Sequence, residues 1–257
     1  MKNLVLFLNG KLGLEILDYL IQRRDTTISA VVINGLNKTS PAYKEKVTKI
    51  LSNAEAGAEL FQYSEKLWES SEFAKHLNSQ PFGVSILFGH IFPKAVINKF
   101  NQNLINLHPS LLPIGRGADP IFWSIVDELP QGATIHRVDE SIDTGEILAQ
   151  EEIKIDSWLN SGQIYDLAMG KLYQLFIEFY PHWDILTPSR PQVGQGTYHG
   201  IQELLDIKTK ILETPGDLVK QLNLIQALTY NDERKATVIL PNKEIWEVSL
   251  HLKRVEG

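Results

Sequence analysis

The chain contains no cysteine, which excludes disulfides, a thiolate nucleophile and any cysteine-ligated metal. A block of basic residues is missing too: 25 lysines and arginines stand against 31 aspartates and glutamates, for a formal net charge of −6. A large nucleic-acid footprint needs clustered cations to neutralise phosphates, so no nucleic-acid partner is expected. A small basic pocket for one phosphorylated metabolite remains compatible with this balance. No apolar stretch approaches the roughly 20 residues of a membrane span, so no membrane partner is expected either. The opening MKNLVLFLNGKLG looks at first like a secretion signal, but its apolar run of about six residues is shorter than a signal core. No small-residue cleavage site follows. The run reads better as a first β-strand, and a cytoplasmic protein is expected. Internal repeats and low-complexity segments are absent, and no His/Asp/Glu spacing suggests a metal site.

What is present is an ordinary globular balance, 43% hydrophobic and 22% charged over 257 residues. That suffices for one large α/β domain, or for a domain with a small appendage. Residues 3–8, NLVLFL, form a continuous apolar run of the kind buried on both faces of a sheet. After Asn9-Gly10 the apolar residues Leu14, Leu17, Tyr19, Leu20 and Ile21 recur at helical spacing. Arg23 and Arg24 then suit a helix C-terminus. Further strands are expected at 28–33, near 59–63, at 84–88 and at 103–108, with helices at about 41–57, 70–78 and 93–100. Strand alternating with helix predicts a Rossmann-like, mostly parallel sheet with helices on both faces. Ligands of such sheets gather beyond the carboxyl ends of the strands.

The second half continues with a strand at 133–138, the segments DESIDTG and EILAQEEIKI, and a long helix at about 161–179. Residues 187–200 form a Pro/Gly/polar connector. Beyond it Thr214 is an expected N-cap, with Pro215 at the first helical position and Asp217 three residues after the cap. The segment 236–252 reads as two strands joined through Pro241-Asn242-Lys243. A catalytic core over 1–186 and a connector with a small C-terminal helix and β-hairpin subdomain over 187–257 are expected.

The segment NLHPSLLPIGRG, residues 106–117, ends one of these strands. Strand side chains alternate, so Asn106 and His108 point to the same side and share one crevice. Anchoring the following turn is the bland alternative for such a pair. That turn is stiffened by Pro109 and Pro113 and freed at Gly115 and Gly117, as suits a backbone bending around a ligand. A later loop, RVDESIDTG, gathers Asp139, Glu140 and Asp143 beyond another strand end. His136, alternating within its strand, reads as structural, and His76, in a polar helical stretch, as solvated. His182 and His251 have no motif around them. The aromatic residues Phe122, Trp123, Trp158, Tyr165, Tyr173, Phe176, Phe179 and Tyr180 read as packing.

NLINLHPSLLPIGRGADPIFWSI, followed by GATIHRVDESIDTGEIL, resembles the core of the 10-formyltetrahydrofolate-dependent formyltransferases. That core is shared by methionyl-tRNA, glycinamide ribonucleotide and sugar-nucleotide enzymes. The similarity is clearest over residues 80–155. It implies a catalytic trio of Asn106, His108 and Asp143, and no metal. ILFGHIFPKAVI resembles the family's folate-contacting loop, which assigns Phe88, Gly89, His90, Ile91 and Phe92 to the co-substrate N10-formyltetrahydrofolate, together with Asp139 and Glu140. Phe88 and His90 depart from the residues most expected there. The physical case is independent: formyl transfer to an amine passes through a tetrahedral oxyanion and needs a neutral amine. The Asn106 amide can donate to that oxygen. His108 can take the amine proton or donate while charged, and Asp143 can orient the imidazole. A water relay from Asp143 to the departing folate nitrogen is equally open at this point.

A methionyl-tRNA formyltransferase carries a longer separate C-terminal domain and a basic tRNA surface, which this acidic chain does not resemble. GQGTYHGIQELLDI and the later LNLIQALTYN are similar to bacterial sugar-nucleotide N-formyltransferases. The resemblance therefore implies transfer to a nucleotide-linked amino-dideoxysugar, dTDP-4-amino-4,6-dideoxyhexose foremost, for lipopolysaccharide or O-antigen synthesis. Formylation of methionyl-tRNA or another small amine is the alternative, and a catalytically silent folate-binding module is a third reading. The diphosphate calls for cations or helix N-termini, with Lys11, Lys94 and Arg116 as candidates. Tyr198 and His199 are candidates for the sugar or base. The terminal hairpin offers an edge for a homodimer.

Overall fold

The computed structural model describes residues 1–35, 39–54, 57–155, 159–209, 217–230, 236–239 and 243–248, with the backbone alone at 207–209 and 238–239. Strand β1 (Lys2–Leu8) is the apolar run expected at the start, and Leu4 through Leu8 have no exposed surface. Helix α1 (Gly10–Ile21) buries Leu12, Ile16, Leu17 and Leu20 on one stripe. It ends before the two arginines. Arg23 instead clamps Asp25 with Nε and Nη2, at 2.8 and 2.6 Å, and leans on the Tyr19 ring. A bidentate carboxylate within two residues outcompetes the diffuse field of a helix end.

Then come β2 (Thr26–Ile33), α2 (Pro41–Asn53), β3 (Glu59–Gln62), α3 (Ser71–Leu77), β4 (Phe82–Ile86), α4 (Lys94–Ile97) and β5 (Leu104–His108). Ser40 and Ser70 cap α2 and α3, their hydroxyls accepting from Tyr43 N at 3.2 Å and Phe73 N at 3.3 Å. His76 is not solvated: its side chain is 9% exposed, edge-on to Phe61 and 3.4 Å from a Glu59 carboxylate. The chain continues through β6 (Arg116–Gly117), α5 (Pro120–Val126), β7 (Gln131–Arg137), β8 (Ile147–Ile153), α6 (Ser161–Phe179), β9 (Tyr198–His199), α7 (Ile201–Thr209), α8 (Leu218–Leu228), β10 (Ala236–Ile239) and β11 (Ile245–Val248).

Seven strands form one sheet in the order β3-β2-β1-β4-β5-β7-β8. Pairings β1–β2, β1–β4, β2–β3 and β4–β5 are all parallel, so the Rossmann-like α/β class read from the sequence is the one observed. The C-terminal helix and hairpin are also present: α8, and the antiparallel pair β10–β11 with Ala236 opposite Val248. The cap of α8 is Asp217, whose carboxylate accepts from Val219 N at 3.0 Å, so the helix starts later than the Thr214 expectation. Thr214, Pro215, Pro241, Asn242 and Trp158 lie outside the described residues.

Two compact units emerge. The first comprises Met1–His108, Ile135–Ala149 and Leu172–Pro191. Its core is an aromatic cluster in which Phe7 meets Phe73, Phe88, Phe92 and Phe100 at centroid distances of 4.8–6.4 Å. Such pairs are mostly edge-on, the arrangement their quadrupoles favour. The second unit comprises Pro109–Thr134, Gln150–Lys171 and Gln192–Gly257. There α5 packs on α8, and Asn223 Nδ2 donates to Glu128 Oε1 at 2.9 Å.

At the foot of the first unit, burial pushes the Tyr180 hydroxyl up to about 12, against the opposing hydrogen bond it shares with Thr26 Oγ1 at 2.7 Å. The folded pKa lies above the unfolded one, so this contribution is complete below about pH 10 and is lost as pH rises towards about 12. Thermal melts across pH 10–12 are expected to show the wild type losing about 2–3 kcal/mol more than Tyr180→Phe. Parallel curves for the two proteins overturn this expectation.

Candidate active site

Asn106 and His108 are the first and last of the final three positions of β5, and β7, the neighbouring strand, brings His136 alongside. His108 is 5% exposed and His136 2%. The Asn106 Nδ2 lies 3.2 Å from His136 Nε2, and the two imidazoles meet edge to face at 6.0 Å. Asp143 comes from the loop between β7 and β8. Its backbone adopts a left-handed conformation at φ 54°, which aspartate tolerates better than most residues. The carboxylate straddles both rings: Oδ2 is 3.8 Å from His108 Nδ1, and Oδ1 is 3.6 Å from His136 Nε2. At 14% exposure its side chain is shielded enough for charge on either ring to matter.

The acidic loop is pinned at several points. Asp139 accepts from the Thr144 hydroxyl at 2.8 Å and from Ser141 N at 3.2 Å. Arg137 N donates to Glu146 O at 2.9 Å, and Val138 N to Leu104 O at 2.8 Å. Glu140 forms an ion pair of 2.6 Å with Lys94, so an anion recruiting Lys94 has to displace a carboxylate. Both side chains are well exposed, and such pairs are worth little in water. Lys11 is exposed and pairs with Glu15 at 3.5 Å.

In the expected folate loop, Leu87 and Gly89 take left-handed backbone conformations at φ 52° and 64°. Phe88 and Phe92 point into the aromatic core, so their role in the loop is anchorage. Gly89, His90 and Ile91 carry its accessible surface. Ile91 is 71% exposed, and His90 stacks on Tyr63 at 3.7 Å.

The remaining candidates belong to the second unit. Thr134 Oγ1 donates to Ser110 O at 2.7 Å, and Gln150 Nε2 bonds both Thr134 Oγ1 and Leu112 O, at 2.9 and 2.8 Å. These contacts fix the turn after His108. Arg116 and Gly117 pair in parallel with Tyr198 and His199. Gly117 has φ 89°, and a Cβ there would stand 2.3 Å from His199 O, so only glycine fits. The Arg116 guanidinium bonds Gln192 Oε1 at 3.1 and 2.7 Å, a neutral partner that leaves its charge uncompensated by that contact. Tyr198 is half exposed. His199 is clamped: one face lies on Trp123 at 3.8 Å, and its ring nitrogens reach Asp127 and Glu203 at 2.9 and 2.8 Å.

The structure therefore brings the expected trio together and adds a fourth member, His136. Sequence reading took that histidine as structural. Its place on a strand whose end lies beside Asn106 follows from the sheet order, which local pattern does not reveal. Among the described residues no group of three or more His, Cys, Asp or Glu side chains is arranged to hold a metal ion. Among the described residues no helix is long and apolar enough to cross a membrane.

A parallel α/β sheet with an amide, two imidazoles and a carboxylate at the carboxyl ends of adjacent strands defines an α/β protein with a polar site at its strand ends. The chain matches the formyl transferase family model over residues 1–178, and it belongs to that family. A relative, the dTDP-4-amino-4,6-dideoxyglucose formyltransferase of Mycobacterium bovis, is 32% identical over 149 residues, covering 56% of this chain and 62% of its own length. The chain thus spans about three fifths of the curated relatives it matches first. Among solved structures, a 4-N formyltransferase from Francisella tularensis superposes with a TM-score of 0.78 at 23% identity over 99% of both chains. The formyltransferase PseJ from Anoxybacillus kamchatkensis was solved with UDP-4,6-dideoxy-4-formamido-L-AltNAc and tetrahydrofolate. It is 26% identical, with a TM-score of 0.55, over 77% of this chain and 99% of its own.

Proposed function

We propose that this protein is an N-formyltransferase that moves the formyl group of N10-formyltetrahydrofolate to the amino group of a nucleotide-linked amino-dideoxysugar. A dTDP-linked 4-amino-4,6-dideoxyhexose is the first choice, after the mycobacterial relative, and the bound ligands of PseJ supply the same two substrate classes. The observation that carries the reading is the quartet at the strand ends, in which two buried imidazoles each lie within 4 Å of one carboxylate beside a carboxamide.

In this reading His108 turns Nδ1 towards Asp143 and acts on the substrate through Nε2. The amine nitrogen attacks the formyl carbon, its C=O becomes an oxyanion, and the Asn106 amide donates to that oxygen. A preorganised donor of this kind is worth roughly 3 kcal/mol. His108 Nε2 takes the proton released by the amine, and Asp143 stabilises the imidazolium so formed. Collapse of the tetrahedral species breaks the C–N10 bond, and N10 leaves with the proton that the His108 imidazolium gives up, giving tetrahydrofolate, the formamido sugar and a neutral imidazole.

Arg116 suits the substrate diphosphate, because its hydrogen bonds from Nε and Nη2 go to a neutral amide oxygen. Tyr198 offers an open ring face to the base, whereas His199, clamped on Trp123, holds the connector in place. In this reading the enzyme works in the cytoplasm and its product enters a lipopolysaccharide O-antigen. It acts as a homodimer through the edge of the terminal hairpin, on which Ile245 and Trp246 are exposed.

The test is a turnover screen with 10-formyltetrahydrofolate and a panel of dTDP-, UDP- and GDP-linked amino sugars, with methionyl-tRNA as a separate arm. Turnover on a dTDP-amino sugar is expected. Turnover on the tRNA alone, or on no amine at all, overturns the reading.

A further inference from the structure

Resting on the formyl-transfer reading, we infer that His136 is a positioning residue that fixes the orientation of the Asn106 carboxamide through its own ring tautomer. The argument begins at a backbone oxygen. His136 Nδ1 lies 2.8 Å from Arg137 O, and a carbonyl only accepts hydrogen bonds, so Nδ1 carries the hydrogen. In the neutral ring Nε2 then presents a lone pair, and Asp143 Oδ1, 3.6 Å from it, lies farther off than the Asn106 amide and beyond hydrogen-bond reach. The Asn106 Nδ2, 3.2 Å away, donates to the lone pair.

That single bond decides which way the amide faces. A carboxamide rotates through a broad, nearly two-fold well about its terminal torsion, and its two ends are similar in shape. Turned over, Asn106 would set Oδ1 against the Nε2 lone pair, two acceptors with no hydrogen between them. His136 therefore holds the nitrogen end inward and the amide plane steady. One N–H is engaged with the ring and the second is aimed for the oxyanion. The chain of control runs from Arg137 O to Nδ1–H, to the Nε2 lone pair, to the Asn106 donor. Its first link is itself braced by the bond from Arg137 N to Glu146 O. Because His136 is 2% exposed, water has little access to replace it.

Two substitutions separate this role from plain packing. Glutamine carries an acceptor at roughly the reach of Nε2 and can still receive the Asn106 N–H. Asparagine stops at the reach of Nδ1, so it keeps the donor to Arg137 O and leaves Asn106 unpaired. His136→Asn is expected to lower kcat about tenfold with KM for both substrates changed less than about twofold, and His136→Gln to stay within about threefold of the wild type. A histidine that merely anchors the strand to Arg137 O predicts the opposite order. Adding His136→Asn to Asn106→Ala should slow the enzyme no further, since the first acts through the second.

A readout independent of turnover is the nitrogen NMR of the His136 ring in the resting protein. It should show hydrogen on Nδ1, with an Nε2 signal that moves in Asn106→Ala. A hydrogen on Nε2 in the wild type, asparagine outperforming glutamine, or an additive double variant each overturns the inference. Absence of turnover in the wild type would strike the formyl-transfer reading instead, leaving the tautomer measurement to judge His136.

Discussion

His108→Ala is expected to lower kcat for formyl transfer at least about a hundredfold while the protein stays folded. In the proposed mechanism His108 works through Nε2 while Nδ1 faces Asp143, and the second imidazole is engaged elsewhere. His136 holds its Nε2 for Asn106, with Nδ1 committed to Arg137 O. Asn106→Ala should fall in the same range, because it removes the oxyanion donor and leaves the proton path intact. Both losses should sit in kcat with KM for folate nearly unchanged, the pattern of an interaction made in the transition state. Folding is expected to survive because the apolar core around Phe7, Phe73 and Phe100 does not include these side chains. Stopped-flow turnover beside a thermal melt checks both halves of the expectation. Ordinary activity in either variant removes that residue from the catalytic assignment.

Reading the chain locally reached Asn106 and His108 because both lie on one strand, where period-two alternation alone puts them on one side. Asp143 needed the family resemblance, since nothing in the spacing of an acidic loop says which carboxylate turns inward. The structure shows how that choice is made: Asp139 is occupied by Thr144 and Ser141, and Glu140 by Lys94, while the left-handed backbone at Asp143 turns its carboxylate to the rings. The place of His136 beside Asn106 was not legible for a related reason. A histidine alternating within a strand looks structural until the sheet order places β7 next to β5. Other misreadings were competitions between local partners. Arg23 left the helix end for Asp25, and the carboxylate of Asp217 caps α8. The buried parallel strands were legible where they are unbroken apolar runs, as at residues 3–8 and 28–33, because such short runs have few alternatives.

Gly145→Ala is the substitution expected to disable the site without touching any of its four side chains. A Cβ at residue 145 would stand 1.9 Å from Arg137 O and 2.8 Å from Arg137 C. Carbon and oxygen need more than about 3 Å, and the obstacle is backbone, which cannot rotate aside as a side-chain tip can. The loop must therefore retreat by about an ångström or more, and both ends of the site feel it. Asp143 lies two residues upstream, its carboxylate already at the edge of reach from His108 and His136, at 3.8 and 3.6 Å. Arg137 O is also the acceptor that sets the His136 tautomer. A displacement of this size in a catalytic array costs on the order of a hundredfold in rate, with about 1–3 kcal/mol of stability lost to overpacking. Turnover and denaturant melts of Gly145→Ala read the two effects separately, and Gly170→Ala, in α6 with nothing within 4 Å of its added Cβ, serves as the control. If Gly145→Ala keeps wild-type kcat, the loop tolerates the shift, and the placement of Asp143 beside two histidines is not what the reaction depends on.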